Sequence, residues 1–146
     1  MNKKDIQQIR IDLEFGAESV LSMMFHQDGA LGRSGNGSLP RDGIACLGAS
    51  DGSTFRTLMD SLNESVFSHA GIYEMAEKKG TLVRYVVLFI GSQNQVLKGY
   101  DFRVGFENRG ESNLLAYFDG FIQQAVSLTE EWYREALEKQ KKEKSI

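Results

Sequence analysis

Ile9, Ile11, Leu13 and Phe15 alternate with Arg10, Asp12 and Glu14, so this segment predicts a strand with one apolar face and one charged face. Gly16 interrupts the alternation. It resumes over residues 20–27, where Leu21, Met23 and Phe25 alternate with Ser22, Met24 and His26, before Asp28-Gly29 marks a tight turn. The two strands are expected to pair. Asn36-Gly37, Asp42-Gly43 and Asp51-Gly52 continue the punctuation, and Asx-Gly pairs supply the positive φ angles of hairpin turns, so residues 28–52 predict a small antiparallel meander. Within it, residues 31–38 are too rich in glycine for a robust strand, whereas 44–47 predict a short one.

The period then changes. Phe55, Leu58, Met59, Leu62, Val66 and Phe67 repeat one face of a 3.6-residue turn and predict a helix capped by Asp51 or Ser53, with Gly71 beyond its end. Residues 81–90 are β-branched and aromatic on both faces apart from Arg84, and Gly91-Ser92-Gln93-Asn94 reads as the turn into a strand with Val96, Tyr100, Phe102, Val104 and Phe106. The register that pairs Arg84 with Asp101, Tyr85 with Tyr100 and Val83 with Phe102 gives one ion pair and two apolar pairs, and so is the expected one. It puts Arg84, Val86, Leu88 and Ile90 on one face with Leu97, Gly99, Asp101 and Arg103, an apolar strip bordered by charge that a C-terminal segment bearing Trp132 or a second chain is expected to cover.

Leu114, Leu115, Phe118, Phe121, Ile122 and Ala125 form a second helical stripe, capped by Ser112 or Asn113 and weakened by Gly120. Ser127-Leu128-Thr129-Glu130 has capping-box spacing and predicts a new helix or a bend, carrying Trp132, Tyr133, Ala136 and Leu137. Residues 138–146 have no apolar stripe and read as a frayed charged tail. The expected architecture is a single α+β domain over 1–146: an antiparallel sheet of about five or six strands, built from an N-terminal meander and a central hairpin, with two or three helices packed mainly on one face. Phe55, Leu58, Leu62, Phe118 and Ile122 are its expected core.

Composition narrows the class. The chain has 146 residues, 41% apolar and 25% charged, enough for one core and no second domain. A net charge of -3 lacks the basic excess that binds phosphate backbones, so nucleic acid is not an expected partner. The longest apolar run, residues 85–90, is far too short for a membrane span, residues 1–11 lack the apolar run of a secretory signal, and Cys46 is alone, which together predict a cytoplasmic protein with no membrane partner.

Candidate chemistry is sparse. The glycine-rich loop 29–43 offers exposed N–H groups with Arg33, Ser34, Asn36 and Arg41 as polar contacts for a small ligand, yet it has no lysine and leads into Leu39-Pro40 rather than a helix, so turn chemistry explains its glycines better than a phosphate cradle does. Cys46 with His26 or His69 lacks a third orienting group, and a cysteine between Ala45 and Leu47 reads as a small buried apolar residue. Asp12 with Glu14 and Glu130 with Glu131 are explained by a solvated strand face and by a helix N-terminus. Two histidines and one cysteine make a transition-metal site improbable, so neither metal nor cofactor is expected. Lys139, Lys141, Lys142 and Lys144 are diluted by glutamates and read as a solvated tail.

These features predict a non-enzymatic cytoplasmic protein-interaction module, one form of which is an immunity or antitoxin-type inhibitor that occludes an effector protein with an acidic surface. The expected contact residues are Val86, Leu88, Ile90, Leu97, Arg103 and Trp132. Two alternatives stay open: a small-ligand-binding protein or hydrolase using the loop 29–43, and a subunit of a homo-oligomer.

Overall fold

The computed structural model describes residues 2–15, 18–37, 45–73, 83–93, 96–105 and 112–144. Their elements are strands β1 (Ile6–Phe15), β2 (Glu18–His26), β3 (Ala30–Ser34) and β4 (Cys46–Ala49), helix α1 (Ser53–Ser61), strands β5 (Gly71–Tyr73), β6 (Val83–Gln93) and β7 (Val96–Gly105), and helix α2 (Ser112–Lys144). Short 3-10 segments precede β1 (Lys3–Asp5) and β5 (Glu64–His69). The seven strands form one sheet in the order β4-β3-β2-β1-β6-β7-β5.

The alternation in β1 and β2 produces the paired strands it predicts, Ile9 opposite Phe25 and Ile11 opposite Met23. Gly29 turns the chain at φ 103°, its N–H donating to the His26 carbonyl at 3.0 Å, and β3 returns beside β2. An extra residue, Val20, bulges out of β2 opposite the Leu13/Glu14 step of β1, and its carbonyl accepts the Gly37 N–H instead (3.0 Å). Residues 38–44, with the Asp42-Gly43 turn and Arg41, lie outside the described residues.

Several expectations are corrected. Ala30–Ser34 forms strand β3 despite the glycines expected to weaken residues 31–38, because it is paired on both sides, by β2 and by β4. The sheet is mixed and has seven strands, because Gly71–Tyr73 adds a parallel edge to β7; three residues show no periodicity from which to predict a strand. Arg84 pairs with Gly105 and Asp101 with Leu88, four residues from the expected register, because β6 continues through Gly91, Ser92 and Gln93 where a turn was expected. Gly91 is there for close approach: a Cβ would overlap the carbonyl oxygen of Asp5, where the backbone crosses into β1. A shift of four is even, so every side chain keeps its expected face. The stripe from Phe55 to Phe67 is not one helix: α1 ends at Ser61, extended Leu62 and Asn63 follow, and the Asn63 side chain accepts the Ser65 N–H (3.1 Å) to start a 3-10 turn. Its N-cap is Gly52, while Asp51 accepts the Ser53 N–H at 2.9 Å from one position further out.

The last correction concerns Ser127, which starts no new helix. Helix α2 is continuous, and the Thr129 hydroxyl donates back to the Ala125 carbonyl (2.8 Å) in place of capping. Gly120 is spanned, and helical structure runs to Lys144.

Phe55, Leu58, Leu62, Phe118 and Ile122 are all buried as expected. They join Ile9, Ile11, Phe25, Val87, Phe89 and Phe102 in one cluster between the sheet and its helices. Phe118 packs on Phe102 and Phe121 on Phe89 (centroids 4.9 and 5.8 Å), while Phe67 stacks on Tyr100 at 4.3 Å, so α1, α2 and the 3-10 turn share one face of the sheet. Among the described residues no helix is long and apolar enough to cross a membrane.

Candidate protein-contact face

Because the sheet buries Ile9, Ile11, Leu21, Met23 and Phe25 under the helices, the even-numbered positions between these on β1 and β2 point the other way. The ladders align these into rows. One row runs Asp101, Leu88, Arg10, Met24, Gly32, Leu47; the next runs Arg103, Val86, Asp12, Ser22, Ser34. Ile90 and Gln8 lead the row on one side, and Arg84 and Glu14 that on the other. The face thus has two apolar islands, Val86-Leu88-Ile90 on β6 and Met24-Leu47 toward the β4 edge, separated by Arg10 and Asp12 on the middle strand β1. Between them lies a shallow open depression of about 330 Å³ lined by Arg10, Asp12, Met24, Gly32, Leu47 and Leu88.

No described element outside the sheet lies over this face. Leu47 is 82% exposed and Leu97 74%, whereas Val86, Leu88 and Ile90 are half-buried by their neighbours. Charge on it is balanced. Arg10, Arg84 and Arg103 stand against Asp12, Glu14 and Asp101. Arg103 pairs with Asp101 on its own strand (3.4 Å), Arg84 with Glu14 across the ladder (4.0 Å), and Asp12 accepts the Ser22 and Ser19 hydroxyls. Arg10 is exposed and makes no ion pair with a described residue. At the rim the Ala30 N–H donates to Asp28 (2.8 Å) and, with His26 alongside, holds that carboxyl below its ordinary value.

Arg33 lies on the other side of the sheet, under α2, with only 2% of its surface exposed. Its Nε donates to the Gly35 carbonyl (3.2 Å), Nη1 to the Val126 carbonyl and Thr129 hydroxyl (3.3 and 3.1 Å), and Nη2 to Asn36 and Glu130 (both 3.1 Å). Each guanidinium nitrogen is taken up by the protein. Ser34 is buried in the open-face row opposite Ser22, Asn36 is exposed and holds Arg33, and Arg41 falls outside the described residues, so of the described groups only Arg33 and Asn36 come together, in a latch on α2. Trp132 also belongs to the helix layer: its indole lies on Gly48, where a Cβ would stand 2.8 Å from the ring. It does not cover the strip on β6, and that expected form of cover is overturned.

Cys46 is buried toward the helix layer beside Gln140 (3.6 Å), and burial pushes its thiol up from the ordinary value. His26 stands on the opposite sheet face and His69 at the end of the 3-10 turn, so the structure does not bring a cysteine–histidine pair together. Among the described residues no group of three or more His, Cys, Asp or Glu side chains is placed to hold a metal. Arg10, Asp12, Met24 and Leu47 are the face residues that sequence reasoning missed. Alternation put the first three on one face of a β1–β2 pair, but only the long-range pairing of β1 with β6 sets them beside Leu88. No family model, curated protein or solved structure matches this chain.

Proposed function

We propose that this protein is a non-enzymatic protein-interaction module whose contact surface is the open face of the sheet. The observation that carries the reading is the pair of apolar islands, Val86-Leu88-Ile90 and Met24-Leu47, on a face that no described element covers. An antiparallel sheet face left to water normally carries polar side chains, and an apolar patch rimmed by charge is the pattern of a protein contact. The turn of Arg33 into the helix layer favours this over the loop-ligand alternative, since the loop's described cation is already engaged. The effector-inhibitor form of the role draws on net charge alone: the chain carries -3, but the open face is balanced.

A photo-reactive phenylalanine analogue in place of Leu88, with Thr57 on exposed α1 as the control position, tests this in native extract. A discrete protein adduct at position 88 and none at 57 is the expected result. No adduct at 88, or equal labelling at both, sinks the reading.

A further inference from the structure

We infer that the occupant of the open face is a second copy of this chain, stacked sheet on sheet about a two-fold axis that runs across the strands at the level of Ile11 and Val87. The inference rests on reading this face as a contact surface.

Charge identifies the partner. A face built to meet an acidic or basic protein carries an excess of the opposite sign, whereas this one holds three arginines and three carboxylates in alternation. A surface that meets a copy of itself must be self-complementary under a two-fold operation. Two in-plane axes can stack the faces. An axis along the strands that follows β1 sets Arg10 over Arg10 of the other copy, like on like; one that follows β6 matches Arg10 with Asp101 and Asp12 with Arg103 but leaves β3 and β4 uncovered, since only β7 and β5 lie beyond β6. An axis across them exchanges the Arg10 row with the Asp12 row.

That single exchange satisfies three positions together. The ladders place Asp101, Leu88 and Arg10 in one row and Arg103, Val86 and Asp12 in the next. Turning one row onto the other sets Arg10 against Asp12, Asp101 against Arg103, and Leu88 against Val86. Charge meets opposite charge, the Val86 and Leu88 part of the β6 island meets itself, and Ile90 lies over Arg84 of the other copy. β1 is the fourth of seven strands, so the axis crosses β1 at the middle of the sheet. Stacked sheets lie about 10 Å apart, a gap that an arginine and an aspartate reaching from opposite sides can close.

The area suffices. Four long strands at about 4.8 Å spacing and about 30 Å length, with the shorter β3 and β4 beside them, outline roughly 600–800 Å². A standard stable interface takes about 800 Å² per partner.

Light scattering and sedimentation on the full chain over a concentration series, with Arg10→Asp and Asp12→Arg variants, test the arrangement. The wild type is expected at twice the chain mass. Each variant alone sets like charges face to face and should weaken self-association by about tenfold or more. Mixed one to one, the variants form heterodimers in which one copy carries a carboxylate at both exchanged positions and the other a guanidinium at both. Every facing pair is then opposite in sign, so the mixture should recover the dimer; circular dichroism confirms that each variant is folded. A wild type that stays monomeric overturns the inference, as does a dimer indifferent to both substitutions, or a mixture that fails to recover. A monomer whose position 88 still cross-links to a different protein removes the homodimer and leaves the contact-face reading intact. A monomer with no adduct removes both.

Discussion

The guanidinium carbon of Arg33 lies 4.4 Å from the centroid of the Tyr133 ring, and the Tyr133 hydroxyl in turn accepts the Gly35 N–H at 2.9 Å. One arginine and one tyrosine thereby tie the end of β3 to the middle of α2, two segments far apart in the sequence.

Arg33→Ala is expected to destabilise the fold by about 2–4 kcal/mol, since it removes hydrogen bonds to five protein groups and a cation–π contact at a buried site. Arg33→Lys should recover little, because an ammonium cannot reproduce the planar fork. Glu130 is half-exposed, so Glu130→Gln should cost under about 1 kcal/mol. Urea unfolding at neutral pH compares the three, and an Arg33→Ala midpoint equal to wild type would show that the latch is not part of the core.

Gly91→Ala should cost about 1–3 kcal/mol, the scale of overpacking, because the added methyl meets the Asp5 carbonyl where β6 passes β1. The same substitution would be harmless if residues 91–94 were a surface turn. Its denaturation midpoint therefore tests the register directly.

Much of the architecture was legible because it follows from local periodicity. The strands around Ile9–Ile11 and Leu21–Phe25, the burial of Leu58 and Phe118, and the face on which Leu88 sits all follow from spacings of two or 3.6 residues. What escaped depends on partners distant in sequence. Gly91 looks like a turn until Asp5 is beside it, and Arg33 looks like a free cation until α2 lies over it. The contact face shows the same division: Leu88 and Arg10 each have a readable orientation, but their adjacency exists only in the β1–β6 ladder.

Gly120 sits on the exposed side of α2, and a Cβ there would meet nothing within 4 Å. Gly120→Ala is therefore expected to stabilise the protein by about 0.5–1 kcal/mol, through lower backbone entropy in the unfolded chain and better helix propensity. A raised melting temperature checks it. A lowered one would mean that this surface of α2 is packed against something.

Tyr85 gives the fold a defined alkaline weakness. Burial, followed by the hydrogen bond its hydroxyl donates to Asp119 (2.7 Å) and the charge of that carboxylate, pushes the phenol well above its ordinary value of 10.0. The folded state holds this proton more tightly than the unfolded chain. Stability from Tyr85 is thus fully present below pH about 10, and it is lost as pH rises from there toward the folded-state value. Lysines and other tyrosines titrate in the same range, so the informative quantity is a difference between two proteins. Urea midpoints of wild type and Tyr85→Phe, followed from pH about 8 to about 11, should converge or cross as the wild type loses stability faster. Asp119→Asn removes the carboxylate charge and should reduce the wild-type slope without abolishing it, since burial is the larger cause. Parallel pH profiles for wild type and Tyr85→Phe would show that the hydroxyl titrates alike in both states and that its bond to Asp119 does not persist in solution.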